Sequence, residues 1–507
     1  MSSVLFDQIE RTTNKTFTLN GAVTNRSSLN GVLDLFALGG AIRGWSQDQV
    51  YDLFTKAFAE DQLLALKTLF YLRDVRGGQG ERKTFRTCVK YLADYYPQII
   101  RKNLECFAEY GRWDDLFVLE NTKVWGEVLM LIDHQLKEDL KAWSSNEPCS
   151  LLSKWLPSIN TSSKKTRALA KKICKELNYS YKDYRRTLNA LRNRSVVEKK
   201  MCMKKWEWIK YDQVPSQAML RYRDAFSKND EKRFSEFLGD VKTGKKEIKA
   251  GTLYPSQIVE KVRGRYGRCH LDGDSISVLD AQWNALPNYL ENNPHRGIAV
   301  VDVSGSMESG YNSTVVPMNV AISLGLYFAE RNECSIFGNS FITFSGCPTL
   351  QRVKGEDIKS KVDCLQNADW GMNTNLQAVF DLILKTAKKE NLSGTELPEV
   401  IYIISDMEFD EATYSRGYPY GEKDENTNFD VIKKKYEESG YYMPKLVYWN
   451  VDAKSKQLPV TIDDNGVCMV SGYSPAILTS LLAGEIQDPM QVMLDTVNSE
   501  RYDQVVV

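Results

Sequence analysis

The sequence has few of the residues that metalloenzymes and secreted proteins commonly use. Its three histidines, His134, His270 and His295, lie far apart in the chain. The ten cysteines form no CxxC pair, so reduced thiols are predicted instead of a zinc ribbon or a disulfide framework. The sequence contains no run of about 18 apolar residues, so no transmembrane helix is predicted. Residues 1–30 lack the apolar core of a signal peptide. An intracellular, cytoplasmic protein is expected, with a virion as the alternative if the source is viral.

The formal net charge is zero, but the charges are segregated along the chain. Residues 151–210, the basic tract, contain 17 Lys and Arg against 4 Asp and Glu, a balance of +13. Residues 297–507 contain 17 basic and 30 acidic residues, a balance of −13. Such segregation indicates different partners for the two parts, whereas ordinary solvated helix faces are the simpler alternative.

The first part of the chain has the apolar spacing of helices. Residues 50–59, 63–72 and 85–95 repeat apolar side chains every three or four positions, and short breakers at 76–80 and 110–112 separate such segments. Brief turns between helices are typical of stacked helix pairs, as in HEAT repeats, although no strict period occurs. Residues 1–290 are therefore predicted to form an α-helical solenoid domain.

The second part alternates strands with helices. Residues 297–303 (GIAVVDV), 340–344, 399–404 and 445–450 are β-rich, and helical segments at 318–331, 375–389 and 429–438 lie between them. This alternation predicts a doubly wound, mostly parallel, Rossmann-like sheet over residues 296–507. Ligands of such sheets bind at the carboxyl ends of the strands.

Oxygen-bearing side chains follow three predicted strand or loop ends in this part. The candidate metal ligands are Asp302, Ser304, Ser306, Thr374 and Asp406. Few charges and several neutral oxygens favour Mg²⁺ or Mn²⁺. Because these loops are expected to be exposed, Asp302→Ala should abolish metal binding and leave the fold nearly intact. The alternative is that these residues only cap helices and form turns.

The order DxSxS, then Thr, then Asp across an open α/β sheet resembles the metal-ion-dependent adhesion site (MIDAS) of von Willebrand factor A domains. In that family the metal completes its shell with an acidic oxygen from a protein partner. The resemblance implies a von Willebrand factor A fold, a Mg²⁺ or Mn²⁺ cofactor, and a partner that supplies a carboxylate. It therefore implies binding without catalysis.

The basic tract interleaves aromatic residues with its bases. Basic groups suit phosphates and aromatic rings stack on bases, which favours single-stranded RNA as the ligand. Helix packing also needs aromatic residues, so any single one of them is more often part of a core. The candidate RNA-binding residues are Lys164, Lys165, Arg167, Lys182, Arg185, Arg186, Arg192, Arg194, Lys199, Lys200, Lys204 and Lys205.

Motifs in the helical part resemble a second family. Residues 72–74 (LRD) with 80–82 (GER), 111–116 (GRWDDL) and 181–183 (YKD) are similar to the TROVE module, the RNA-binding ring of the Ro autoantigen family, which also has a C-terminal von Willebrand A domain. The closest likeness is to a family of this architecture in plants, fungi and giant DNA viruses. Tyr181 stands where Ro proteins have the histidine of an "SHKD" segment. The resemblance implies a ribonucleoprotein that binds structured non-coding RNA.

Three functions are compatible with these features. The first is a non-catalytic RNA-binding protein with a metal-dependent protein-interaction domain and no membrane partner. The second is a protein-interaction scaffold that binds no nucleic acid. The third, a magnesium-dependent phosphodiesterase using Asp302 and Asp406, is disfavoured because two-metal hydrolysis needs more carboxylates.

Overall fold

The computed structural model describes residues 11–195, 197–264, 271, 273–291, 295–308, 315–332, 336–344, 348–368, 374–410, 426–483 and 486–507. Within these ranges the side chains of residues 193–195, 274 and 483 are not described. No described helix combines the length and the apolar character needed to cross a membrane.

Helices dominate the chain up to residue 284, as predicted. They are α1 Gly31–Gly39, α2 Gln47–Glu60, α3 Gln62–Arg73, α4 Lys83–Tyr95, α5 Pro97–Lys102, α6 Cys106–Tyr110, α7 Trp125–Ser144, α8 Leu152–Trp155, α9 Lys164–Glu176, α10 Tyr181–Ser195, α11 Val197–Cys202, α12 Ser216–Asn229, α13 Glu231–Lys242, α14 Pro255–Arg263 and α15 Gly273–Asn284. Short 3-10 helices also occur, among them Trp113–Leu119 and Trp206–Trp208. Local side chains set several boundaries: Ser46 and Gln49 form a capping box before α2, and Ser163 caps α9.

A hairpin near the N-terminus departs from the helical prediction. Strands β1 Lys15–Phe17 and β2 Val23–Asn25 pair antiparallel, and Gly21 has a φ of 90° in the turn between them. The short strands carried too little periodicity to be recognised. Residue 25 then forms an antiparallel bridge with Leu458, with N–O distances of 2.9 and 2.8 Å. The hairpin therefore joins the second part of the chain.

The second part contains a six-stranded, mostly parallel sheet, which confirms the predicted α/β arrangement. Its strands are β3 Gly297–Val301, β4 Ser340–Thr343, β5 Leu350–Arg352, β6 Val400–Ser405, β7 Lys445–Asn450 and β8 Val467–Ser471. The strand order is β5-β4-β3-β6-β7-β8, and only β5 is antiparallel to its neighbour. Its accompanying helices are α16 Pro317–Arg331, α17 Ile358–Gln366, α18 Leu376–Glu390, α19 Asn428–Ser439, α20 Ile477–Ala483 and α21 Pro489–Val497.

The order of the strands reverses at β3. The chain proceeds from β3 to β4 on one side and later returns to place β6 on the other side. At such a switch point the loops after neighbouring strands diverge and leave a crevice at the carboxyl edge. The candidate metal residues that follow β3 and β6 lie at this edge.

One hydrophobic core extends through both parts. It contains Leu33 and Trp45 from the helical part together with Val470 and Met493 from the sheet part. The end of α1 approaches the end of β8 so closely that a Cβ at Gly40 would lie 2.9 Å from backbone atoms of Gly472. Glycine is therefore required for this contact between the two parts.

The C-terminal residues pack back onto the helical part. Tyr110 Oη donates to the Arg501 carbonyl at 2.6 Å, and Asn103 Nδ2 donates to the Val506 carbonyl at 2.7 Å. Asp74, which is fully buried, accepts hydrogen bonds from the Arg501 guanidinium and from Tyr502 Oη. The last residues of the chain therefore contribute to the stability of helices that precede them by some 400 positions.

A separate, smaller core lies beneath the end of the basic tract. Phe226, Phe234 and Phe237 pack with Tyr211 and Val278, which brings α12, α13 and α15 together. This packing buries Tyr211, which directly follows the basic tract. Tyr211 is thus a core residue and cannot stack on a base.

Candidate functional site

Two of the predicted metal residues lie directly after neighbouring parallel strands. Asp302 follows β3, and Asp406 follows β6. The register that pairs Val301 with Ile404 brings both carboxylates to the same edge of the sheet.

Asp302 is fully buried and holds the loop that follows it. Its Oδ1 accepts from the Ser304 backbone N–H at 2.9 Å, and its Oδ2 accepts from Ser405 Oγ at 2.6 Å. Burial, together with the negative charge of Asp406, raises the pKa of Asp302 to about 6. The expectation that Asp302 lies in an exposed loop is wrong. Because Asp302→Ala would leave buried donors without acceptors, we expect the substitution to destabilise the fold.

Three oxygen atoms beside Asp302 form a connected chain. Ser304 Oγ lies 3.0 Å from Ser306 Oγ, which donates to Asp406 Oδ2 at 2.8 Å. In an octahedral Mg²⁺ shell with Mg–O distances of about 2.1 Å, adjacent ligand oxygens are about 3.0 Å apart. The spacing of these three oxygens therefore fits neighbouring ligand positions on Mg²⁺ or Mn²⁺.

Thr374 does not join this chain of hydrogen bonds. Its Oγ1 donates to the Glu408 carbonyl at 2.9 Å, contacts Asp410 Oδ1 at 3.2 Å, and accepts from Asn20 Nδ2 at 3.2 Å. The structure thus connects Ser304, Ser306 and Asp406 but places Thr374 beside the tip of the N-terminal hairpin. Asp410, in the loop after β6, is one of the hydrogen-bond partners of Thr374.

A lysine at the same site was missed by the sequence reasoning. Lys454 Nζ forms an ion pair with Asp406 Oδ2 at 2.6 Å, and the lysine side chain is 14% exposed. Lys454 lies in the loop that follows β7, the strand next to β6. The sequence could have indicated Lys454, because loops that follow adjacent parallel strands meet at one edge of the sheet. Strand β7 was identified from the sequence, but the residues of the loop after it were not considered.

The donor set suits only a cation that accepts neutral oxygens. In the part of the chain that the structure describes, no group of three or more His, Cys, Asp or Glu side chains could hold a metal. Hydroxyl groups of Ser304 and Ser306 with the carboxylate of Asp406 remain compatible with a hard divalent ion.

The basic tract presents six unpaired cations on two successive helices. Lys164, Lys165 and Arg167 lie on α9, and the other three are Lys182, Arg185 and Arg186 at the start of α10. All are exposed or half-buried, and none forms an ion pair with a residue that the structure describes. Ser180 and Asp183 hydrogen-bond to each other at the start of α10, which leaves Tyr181 and Lys182 exposed.

The remaining candidate RNA-binding residues divide into different environments. Arg192 is half-buried and donates to the Ser153 and Leu156 carbonyls and to Ser158 Oγ, so it fixes the end of α8; it also lines the pocket that opens on the basic tract. Lys199 and Lys200 are half-buried, whereas Lys204 and Lys205 are exposed. Arg194 lies in α10, but its side chain is outside the described residues.

A pocket of about 520 Å³ opens on the basic tract. Lys182, Arg185, Arg186 and Lys199 line it together with polar and apolar side chains, and no acidic side chain is among its described lining residues. Two aromatic residues of the tract are exposed, Tyr181 at 49% and Trp208 at 53%, so ring faces are accessible near the bases. The tract therefore offers cations and stacking surfaces together.

A larger basic cleft was not foreseen from the sequence. Its volume is about 1030 Å³, and its described lining residues include eight basic side chains but only two acidic ones, Glu81 and Glu198. Five of these bases pair with acids, including Arg73 with Asp115 and Arg112 with Asp114. Arg82 and Arg221 are exposed and form no ion pair with a described residue.

Arg82 marks the point where positive charges crowd together in the cleft. Partial burial and the nearby charges of Arg112 and Arg86 lower the pKa of Arg82. Arg86 and Arg112 both pair with Asp114, whereas Arg82 forms no ion pair with a described residue, and an anion beside Arg82 would relieve the remaining repulsion. The bases come from separate helices, so only folding brings them together.

Family models match both parts of the chain. A model described as "Domain of unknown function (DUF7788)" matches residues 296–505. A second, "Domain of unknown function (DUF2828)", matches residues 18–129 and 120–294.

Comparisons with individual proteins give a relative in sequence and a similar solved structure. A protein of Acanthamoeba polyphaga mimivirus is 28% identical over 95% of this chain and 87% of its own length. The crystal structure of the Ro (RSR) protein of Deinococcus radiodurans is 12% identical, with 93% of this chain and 99% of that chain covered and a TM-score of 0.38. At that TM-score the likeness does not bear on function.

The expected relationship to a protein of a giant DNA virus is confirmed. Because the DUF2828 matches together cover residues 18–294, more than half of the 507 positions, the chain belongs to the DUF2828 family.

Proposed function

We propose that this protein is a non-catalytic RNA-binding protein whose α/β part binds a protein partner through a divalent cation. The observation that carries the RNA proposal is the group of six cations on α9 and α10 that have no acidic partner among the described residues. Solvated helix faces in this chain commonly place Lys next to Asp or Glu, as in the pairs Lys137–Asp133 and Lys359–Asp363. The six bases lack such pairs, which leaves their charge available for phosphate.

Single-stranded RNA fits the tract better than duplex RNA. The exposed rings of Tyr181 and Trp208 need unstacked bases, which only single strands, loops or frayed ends offer. The basic cleft, with its exposed Arg82 and Arg221, offers a second cationic surface in the same part of the chain. Non-coding RNA with accessible single-stranded segments is therefore the ligand class that we propose.

Removing five of these bases should weaken RNA binding. We expect Lys164, Lys165, Arg167, Arg185 and Arg186, all changed to Ala, to lower the affinity of the full chain for single-stranded RNA about tenfold or more. Each phosphate contact contributes about 0.7 to the log–log dependence of affinity on salt, so the slope should fall by up to about 3.5 when five bases are removed. Titration of labelled RNA by fluorescence anisotropy at several salt concentrations measures both quantities.

A matched variant separates local contacts from total charge. The control replaces five exposed lysines of the α/β part with Ala: Lys385, Lys388, Lys389, Lys433 and Lys434. It has the same change in net charge and should bind RNA like the wild type. Equal losses in both variants would contradict a site on α9 and α10. Absence of RNA binding by the wild type near physiological salt would favour the scaffold function.

The metal proposal is supported by the spacing of Ser304 Oγ, Ser306 Oγ and Asp406 Oδ2 at the strand switch point. When bound, a divalent cation would supply a positive charge that attracts an acidic side chain of a partner. Asp302 holds the loop through the Ser304 N–H and thereby orients the serine that follows it. The resemblance to von Willebrand factor A adhesion sites agrees with this assignment of ligands.

Ser304→Ala should weaken the binding of Mg²⁺ and Mn²⁺ by at least about tenfold, because the metal loses one of its few protein ligands. Ser304 is half-exposed, so the fold should be preserved, unlike in Asp302→Ala. Isothermal titration calorimetry measures the affinity, and thermal unfolding reports the fold, with potassium as the ionic-strength control. Unchanged Mg²⁺ affinity in Ser304→Ala would show that the metal binds elsewhere. If a partner uses the site, both chelator and Ser304→Ala must abolish its capture.

A further inference from the structure

The Lys454 ammonium lies where the α/β part would bind a cation. It contacts Asp406 Oδ2 at 2.6 Å, and the Asp406 side chain is 0% exposed. The loop after β7 holds the lysine, and the loop after β6 holds the aspartate. Because Asp406 is fully buried, the ammonium of Lys454 compensates a carboxylate charge that would otherwise be costly to bury.

The lysine and the proposed metal would use the same oxygen atom. Asp406 Oδ2 accepts from Ser306 Oγ at 2.8 Å as well as from Lys454, and Ser306 Oγ is within 3.0 Å of Ser304 Oγ. A divalent ion bound to both serines and Asp406 would therefore lie close to the ammonium. At such short range in a buried site, repulsion between the two cations is strong.

We infer that Lys454 is an internal competitor of the divalent cation, which neutralises Asp406 when no metal is bound and must move away when one binds. The inference rests on the proposed metal site and adds a residue that sets its affinity. A displaced Lys454 has a second carboxylate available, because its ammonium interacts electrostatically with the buried side chain of Glu408. The site would then respond to divalent cations only above the concentration needed to displace the lysine.

Replacing Lys454 with Met removes the charge and keeps the length of the side chain. We expect Lys454→Met to bind Mg²⁺ at least about tenfold more tightly than the wild type, since the competing charge is absent. In chelator the variant should unfold at a lower temperature than the wild type, because Asp406 is left buried without a counter-ion. Adding Mg²⁺ should restore that temperature. Calorimetric titration and thermal unfolding of the full chain measure these effects.

Three further variants make the experiment specific. Lys456→Met removes the same charge two residues away, where the lysine pairs with Asp52 and is 40% exposed; it should leave Mg²⁺ affinity unchanged. Lys454→Arg keeps the charge and should keep the affinity low. Lys454→Gln is the second uncharged variant if Lys454→Met does not fold in chelator, and it should reproduce the tighter binding.

The outcomes distinguish this inference from the proposed metal site. Equal Mg²⁺ affinities of wild type, Lys454→Met and Lys454→Gln, together with weaker binding by Ser304→Ala, would overturn the role of Lys454 and leave the metal site standing. No Mg²⁺ binding by any of these proteins would overturn both. Tighter binding by Lys454→Met and Lys454→Gln, with Lys456→Met and Lys454→Arg like the wild type, supports the inference.

Discussion

Asp74→Ala is expected to destabilise the whole protein by about 3–5 kcal/mol, the range found when one partner of a buried ion pair is removed. Asp74 is fully buried and accepts from Arg501 Nη2 at 2.8 Å, from Tyr502 Oη at 3.1 Å and from the Arg76 backbone N–H at 2.9 Å. The alanine would leave all of these donors without their acceptor. Because the donors come from both ends of the chain, the loss should affect the entire fold.

Thermal and denaturant unfolding of the full chain measure this prediction. The control is Asp503→Ala in the same C-terminal turn, since Asp503 is 65% exposed and lies 3.7 Å from Lys67. Exposed ion pairs contribute about 0–1 kcal/mol, so the control should unfold nearly like the wild type. Similar unfolding midpoints for Asp74→Ala and Asp503→Ala would show that the C-terminal contacts do not stabilise the helical part.

Separating the two parts should abolish folding of each. A chain of residues 1–294 is expected to aggregate or to lack cooperative unfolding, because α1 packs on β8 and loses that cover. Trp45 Nε1 would also lose the Ala453 carbonyl, to which it donates at 2.7 Å. Separation would expose apolar core surface to water at a free-energy cost of about 25 cal/mol per Å². We expect the total cost to exceed the small net stability of an ordinary domain.

Co-expression of the two fragments tests whether residues 1–294 fail to fold because they lack the surface of the α/β part. If residues 1–294 fail only because they lack their partner surface, then expressing them together with residues 295–507 should restore a soluble complex with cooperative unfolding. A fragment 1–294 that unfolds cooperatively at the wild-type temperature would refute the shared core. The same reasoning means that RNA binding must be measured on the full chain and not on an isolated helical part.

The sequence was sufficient for features that depend on neighbouring residues. Nearly continuous apolar runs at 297–303, 399–404 and 445–450 predicted three strands, because a parallel strand that is covered on both faces is apolar along its whole length. A serine directly before α9 is a cap that the local sequence can indicate, because an N-cap acts within three residues, and the structure shows that Ser163 is this cap. The likeness of domain order was also accessible, since it depends on the sequence of motifs and not on their packing.

The environment of individual site residues was decided by the tertiary structure. Nothing near residue 192 indicates that Arg192 is used to hold carbonyl groups at the end of α8, and the ion pair of Lys454 with Asp406 depends on how the loops after β7 and β6 meet. Thr374 was placed among the metal ligands on order alone, but the hairpin residue Asn20 and the Glu408 carbonyl engage its hydroxyl instead. Each of these contacts joins residues far apart in the chain.

The sequence by itself determined the division into a helical part and an α/β part, the strands β3, β4, β6 and β7, and which oxygen-bearing loops reach the carboxyl edge of the sheet, because local periodicity and strand ends suffice for that. It did not identify β1, β2, β5 or β8. Only the tertiary structure decided that Asp302 is buried, that Lys454 shares an oxygen atom with the proposed cation, and that bases from separate helices line one cleft. The physical reason is that burial and charge pairing depend on distances between elements, and those distances are set by how the two parts of the chain pack around their common core.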